Sequence, residues 1–193
     1  MNLSVMTVGG PAWLNLLNTV YRSQQHEVDL LRKEAAVREW LFQNELIQPD
    51  EWSRLEPHRQ RLAAELAGLR DICRSLLVES KRNNEVTPAA VEPLEKRLER
   101  IPLRIDLQWE SGKLMERYRA LDPLDHILYQ IGLSAVRTLK TLPLERIREC
   151  EHVDCILHFA DTSKAGKRRW CSMDTCGNRH KAAEFYARKK QKS

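Results

Sequence analysis

Four of the chain's five cysteines, Cys150, Cys155, Cys171 and Cys176, fall within 27 residues near its C-terminal end, spaced as C-x4-C, fifteen residues, then C-x4-C. No other feature constrains the fold as strongly, because two short hooks closed by a loop are a usual way to surround one tetrahedral ion with four thiolates. Such a shell leaves zinc no open position, so one structural Zn2+ is expected and no chemistry at the metal. Two disulfides are the rival account, but they belong to oxidising compartments and to small secreted scaffolds short of core. The N-terminal stretch MNLSVMTVGG has no basic region followed by an apolar run of signal-peptide length. Nor is there an uninterrupted apolar run of membrane-spanning length, so a cytoplasmic protein without a membrane partner is expected. Cys73 stands alone in a helical pattern and reads as a small buried apolar residue.

The net charge of +5 divides unevenly along the 193 residues. From residue 162 to 193 there are ten Lys and Arg against two acids, which is +8 and leaves 22 minus 25, or -3, for the rest. Four thiolates and a zinc ion add only -2, so the basic end survives metal binding. Such asymmetry points to a polyanion, and a solvated basic tail is the plain alternative.

The remaining chain reads as mainly α with a small β-hairpin, an α+β arrangement of a helical N-terminal domain over 1–143 and a zinc module over 144–193 that ends in a basic helix. Helices are expected over Pro11–Tyr21, where Trp13, Leu16, Leu17 and Val20 recur at helical spacing, and over Lys33–Leu46. A long helix follows from Glu51 to Lys81, kinked or restarted at Pro57, with Leu62, Leu66, Leu69, Ile72, Cys73 and Leu76 on its apolar face. Shorter ones run over Pro88–Leu98, capped by Thr87, and over Leu124–Leu139. Between them the segment LRIDLQW, residues 103–109, alternates with period two. With the turn Glu110-Ser111-Gly112 it predicts a hairpin over about 103–118 that lies on the helical core. The connection at Thr141-Leu142-Pro143 is too short for a flexible linker, so the zinc module is expected to dock on the body.

Within that module the loop between hooks carries Lys164, Lys167, Arg168 and Arg169 beside Trp170. Guanidinium and ammonium groups there suit phosphate, although arginine beside a thiolate cluster also offsets its charge, and only one of the pair need face solvent. Trp170 reads either as a stacking platform or as the module's miniature core, with the core the commoner use. After Cys176, Ala182, Phe185 and Tyr186 predict an inward stripe on a helix capped by Asn178, with Arg179, Lys181, Arg188 and Lys189 on its outer surface. A helix of this kind suits a DNA major groove, and is compatible with RNA or an acidic protein. His152, His158 and His180 read as loop or supporting residues, because four cysteines already complete a tetrahedron.

Arg169-Trp170-Cys171-Ser172-Met173 with Cys176-Gly177-Asn178-Arg179, and the first hook followed by Phe159-Ala160-Asp161, resemble the signature of the bacterial CGNR zinc-finger proteins. Gly9-Gly10 and Leu14-Asn15-Leu16-Leu17-Asn18-Thr19 resemble the opening of the ABATE domain that precedes the finger in that family. Asn15 stands where an acid is usual, and Ser163-Lys164-Ala165 replaces Ser-Arg-Asn. The resemblance implies zinc on the four cysteines and a stress-induced transcription regulator. The expected function is therefore a non-catalytic regulator that binds DNA, in preference to RNA, through its zinc module. The N-terminal domain would serve for homodimerisation or for sensing a small molecule. A zinc-held surface for a protein partner is the alternative. An enzyme ranks third, since Asp106, Glu110, Asp122, Asp125 and His126 come without a phosphate loop, nucleophile elbow or HExxH motif.

Overall fold

Leu124, Ile127, Leu128, Ile131 and Ala135 recur three and four residues apart and line one side of α5 (Pro123–Thr141), the spine of the core. A computed structural model of the chain, which describes residues 3–24 and 26–190, packs this helix against α1 (Ala12–Leu17), α3 (Arg59–Asn83) and α4 (Pro88–Leu98). A further helix, α2 (Glu34–Gln43), adds Ala36, Val37, Trp40 and Leu41 to the same core. Helix α3 begins just after Pro57, as the break there predicts, and the preceding Pro49–His58 segment winds as a 3-10 helix. It ends at Asn84, whose left-handed φ of 54° closes the helix. Leu62, Leu66, Leu69, Cys73 and Leu76 are buried as the stripe requires, while Ile72 is only half-buried. Cys73 sits in apolar core, where burial pushes its thiol up to about 12. Thr87 and Asp122 cap α4 and α5 through bonds from Ala90 N and from Leu124 N and Asp125 N. No helix among the described residues is long and apolar enough to cross a membrane.

The first helix is shorter than its spacing predicts. It stops at Leu17, and Val20–Ser23 (β1) pairs antiparallel with His26–Asp29 (β2), so Val20 lies in a strand and is only half-buried. The cause is the fate of two polar side chains. Thr19 Oγ1 donates to Leu16 O at 2.7 Å and closes the last turn, while the Asn18 amide is committed elsewhere in the fold.

The predicted hairpin forms from β3 (Leu103–Glu110) and β4 (Lys113–Ala120). Ser111 and Gly112 have φ of 50° and 78°, the paired positive values of a two-residue hairpin turn. The hairpin does not lie on the helical core through its apolar side chains, which are exposed. Directly paired residues share a face, so Ile105 with Tyr118, Trp109 with Leu114, and Leu103 and Leu107 fall on one face, all six exposed, with the carboxylate of Glu116 set among them opposite Leu107. The opposite face, with Asp106, Gln108, Arg117 and Arg119, looks across a cleft at His126, Tyr129 and Gln130 of α5. Polar partners on the body decide this: Arg119 pairs with Glu51 at 3.1 Å, and of the paired strand residues only Ala120, at the root, is buried.

Beyond α5 the chain makes a 3-10 turn at Leu144–Arg146 and two short strands, β5 (Ile147–Glu149) and β6 (His158–Ala160). Ile147 and Ala160 are buried in the main core, so the C-terminal module docks on the body, as its short connection predicts. Lys81 Nζ donates to the carbonyls of Leu144 and Ile147 at 2.6 and 2.5 Å. Asn18 clamps β6 with two bonds to the His158 backbone, Nδ2 to O and N to Oδ1, both 2.8 Å. Ala160 N reaches Gly9 O at 3.0 Å, and Gly9 N donates to Asn15 Oδ1 at 2.8 Å. A Cβ on Gly9 would lie 2.7 Å from that oxygen, so only glycine fits. The N-terminal segment that resembles a domain signature is thus the dock for the C-terminal module, with Asn15 as a buried amide tying Gly9, Gly10 and Asn44 together.

Candidate metal centre and nucleic-acid interface

The first hook lies in the loop between β5 and β6. The second enters α6 (Asn178–Lys190) through a single π turn over Met173–Gly177. Leu157 O accepts from Cys150 N at 2.9 Å and His152 O from Cys155 N at 2.8 Å, which curls the first hook. Ser172 accepts from Thr175 N and starts the turn that carries Cys176. The four sulfurs all lie within 4.8 Å of one another. Cys171 Sγ is 3.6 Å from Cys176 Sγ and 3.8 Å from Cys155 Sγ, and no cysteine is in a disulfide. Zinc–sulfur bonds of about 2.3 Å at tetrahedral angles require sulfur separations of about 3.8 Å, so the cluster fits one zinc ion. Cys171 N also points at Cys150 Sγ, at 3.4 Å, a bond that favours thiolate.

Electrostatics agree with the geometry. Hydrogen bonds from Cys155 and Cys171 favour ionisation of Cys150, and that interaction with Cys150 in turn pushes the Cys155 thiol up to about 12. Cys171 is raised by the same neighbours and Cys176 by burial. Without a cation the cluster resists a second negative charge; a divalent ion is what makes four thiolates tenable there. The four cysteines therefore hold one structural zinc. Val5, Leu157, Phe159 and Trp170 pack around them as a small satellite core. His152, His158 and His180 lie outside the ligand set: His152 Nδ1 accepts from Asp154 N, His158 pairs with Glu149, and His180 lies over Trp170 with ring centroids 4.6 Å apart.

Arg168 departs from its expected place among phosphate-facing residues. Its guanidinium lies 4.3 Å from the centre of the Phe159 ring. It donates to the carbonyls of Trp170, Cys171, Ala160 and Val8, so its donors are consumed by backbone from both hooks' surroundings and from the body. Arg169 faces solvent, pairing with Glu151 at 2.5 Å and covering Trp170. Trp170 accordingly serves as core. Buried Asp161 cinches the loop, accepting from Ser163 N, Ser163 Oγ and Arg168 N, and the Ser163 hydroxyl leads the donors that hold its carboxyl below the usual range. Lys164 and Lys167 remain exposed on the outside of that loop.

Helix α6 differs most from expectation. None of its residues is buried; Phe185 and Tyr186, predicted to face inward, are 61% and 68% exposed. The helix meets the module at its root, where the His180 ring lies 4.6 Å from that of Trp170, and Phe185 and Tyr186 pack edge to face on each other. At 100° per residue, Lys181, Phe185, Arg188 and Lys189 fall on one continuous arc with Arg179 and Tyr186, so aromatics and cations share a face. Arg179, at the root, lines a cleft of about 620 Å³ beside Cys155, Cys171 and Cys176. Asn178 is the first helical residue and bonds back to Asp174 O, so the cap belongs to Ser172.

The acids near the hairpin have structural employment. Asp122 caps α5 and pairs with His58 at 3.1 Å, Asp106 pairs with Arg104, and Glu110 with Arg117. Burial raises Asp125 and lowers His126, whose Nδ1 accepts from Ala120 N at 3.3 Å.

Two family models match this chain. Residues 10–141 match ABATE, described as "Putative stress-induced transcription regulator", and residues 146–189 match the CGNR zinc finger. No curated protein matches the chain.

Proposed function

The chain belongs to the ABATE family and ends in a CGNR zinc finger, and from that membership we propose that it is a non-catalytic, stress-induced transcription regulator of the cytoplasm that binds DNA through its zinc module. One observation carries the reading: α6 projects without a buried residue, its cations and aromatics on a common solvent-facing arc, while its root is pinned to a four-thiolate zinc site. Lys164 and Lys167 extend the basic surface, and Arg169, Arg179, Lys181, Arg188 and Lys189 complete it. Phosphate contacts from such residues position a protein on a duplex, and a helix on a rigid root is what enters a groove. Arg168 supports the surface from behind. The polar cleft between the hairpin and α5, about 650 Å³ with both signs of charge, is the place for a small polar effector.

The exposed Phe185 and Tyr186, 5.6 Å apart edge to face, favour a second reading, in which bases of an RNA or single strand stack on the helix. Fluorescence anisotropy with labelled duplex DNA, single-stranded DNA and structured RNA tests both. The proposal expects duplex binding that is lost after chelation of zinc and weakened by Phe185→Ala only modestly. Preference for single strands with a large Phe185→Ala effect selects the second reading, and binding to none of them overturns both.

A further inference from the structure

Most arginines of the zinc module are committed within the fold. Arg146, Arg148 and Arg168 donate to backbone carbonyls, Arg169 pairs with Glu151, and Arg188 is tied to Glu184 of its own helix. Arg179 has no hydrogen bond or ion pair from its side chain among the described residues. A second guanidinium of this kind comes from the helical body. Arg22, on β1, is exposed, and its one ion pair, with Glu27, is 3.9 Å long and so beyond hydrogen-bond reach. These two arginines line the same cleft of about 620 Å³. Arg22, Ser23 and Gln24 border it from the β1–β2 ribbon and Arg179 from the root of α6, all four of them exposed, while Cys171 and Cys176 lie deeper, 3% and 5% exposed.

We propose, on the reading of α6 as the duplex-binding helix, that the β1–β2 ribbon of the body is a second arm of the same surface, and that one phosphate backbone of the DNA crosses the mouth of this cleft between Arg22 and Arg179. The length of the helix calls for such a crossing. The 13 residues of α6 span about 20 Å at 1.5 Å each, whereas the major groove is about 12 Å wide, so an end of a helix lying across it meets the strand at the groove's edge. The root is the end beside the body, and β1–β2 is the part of the body that shares its cleft. A guanidinium grips a phosphate with paired N–H donors, and the Ser23 and Thr175 hydroxyls and the Gln24 amide lie beside the two arginines to add single bonds. An exposed pair such as Arg22 with Glu27 contributes little and gives way to a phosphate. Charge decides how deep the anion sits. Asp154 is the one carboxylate among the described lining residues, and the excess charge of the thiolates stays with the sulfurs below, so a phosphate is favoured at the exposed guanidiniums and not at the floor. The rival role, in which both arginines only offset the thiolates, has consequences for zinc and none for DNA.

Fluorescence anisotropy of the zinc-loaded full chain with a labelled DNA duplex, between about 50 and 200 mM salt, tests this. Arg22→Ala is expected to flatten the slope of log affinity against log salt by about 0.9, so that over this range the wild type loses about 3- to 4-fold more affinity than the variant. Its zinc content and melting temperature should stay as in the wild type, because the replaced side chain is exposed and holds no hydrogen bond. Arg32→Ala removes the same charge from an exposed arginine that lines a different cleft of the body, and should leave the slope unchanged. Equal flattening by Arg32→Ala overturns the proposal, because any cation of the body would then serve. Loss of zinc from Arg22→Ala also overturns it, and assigns Arg22 to the metal site. A wild-type chain that binds the duplex with a slope Arg22→Ala does not alter overturns this proposal alone and leaves α6 as the binding helix, whereas a chain that binds no duplex overturns both.

Discussion

Replacing Asn18 by alanine removes two of the bonds that hold the zinc module on the helical body. The Asn18 side chain is almost wholly buried and satisfies both backbone groups of His158 at 2.8 Å. Alanine strands one N–H and one C=O in a partly buried seam, at about 1–3 kcal/mol each, and the half-buried setting of His158 favours the lower part of that range. A total of about 2–4 kcal/mol corresponds to a melting temperature lower by roughly 5–15 °C for a chain of this size. Scanning calorimetry of the zinc-loaded variant reads this directly. Metal analysis supplies the second half of the test, because no ligand is touched and one zinc per chain should remain. A drop of less than about 2 °C, where each kcal/mol is worth about 2–4 °C, would show that the seam rehydrates at no cost and that Asn18 is not its clamp.

Arg168→Ala should act as a stability mutation, lowering the melting temperature by several degrees through the loss of four carbonyl bonds and the Phe159 contact, whereas Lys164→Ala with Lys167→Ala should leave it unchanged; differential scanning fluorimetry separates the two. Arg168→Lys should not rescue, since an ammonium cannot span those carbonyls. Chelation should release one zinc and unfold the satellite core around Trp170, seen as a change in tryptophan emission. Acidification should do the same, because protons compete for thiolates. Burial alone would raise the Asp29 carboxyl, but its two 2.8 Å bonds with Arg70 and the Leu31 N–H outweigh that and hold it below its usual range. A depressed carboxyl contributes stability above its unfolded value of about 3.9 that is lost as pH falls through the folded one. Asp29→Asn should therefore destabilise at neutral pH, and its difference from wild type should shrink in urea titrations below about pH 4.

The metal centre was legible because four clustered cysteines in two hooks leave few alternatives, and the sulfurs converge as the two hooks imply. Helices α3, α4 and α5 were legible from apolar period, capping residues and proline. What was not legible turns on where a neighbour sits. The period of β3 and β4 separates two faces without saying which meets the body, and ion pairing at Arg119 turned the polar one inward. Phe185 and Tyr186 have inward spacing but pack on each other, exposed. Val20 fits the helical spacing of Trp13 and Leu17, yet Asn18 is drawn off to a residue 140 positions away, and no local pattern records that. Arg168 looked identical to Arg169, and only the carbonyls converging on it distinguish scaffold from surface.

Salt dependence of DNA binding tests the central claim, that a zinc-pinned basic helix grips a nucleic-acid backbone. Each phosphate neutralised contributes about 0.9 to the slope of log affinity against log salt, so replacing Arg179, Lys181 and Arg188 by alanine should flatten that slope by about 2.7. Between about 50 and 200 mM salt the wild-type chain should then lose roughly 40-fold more affinity than the triple variant. A wild-type chain that binds no duplex at the lower salt, or whose slope is unchanged by the three substitutions, would contradict the account.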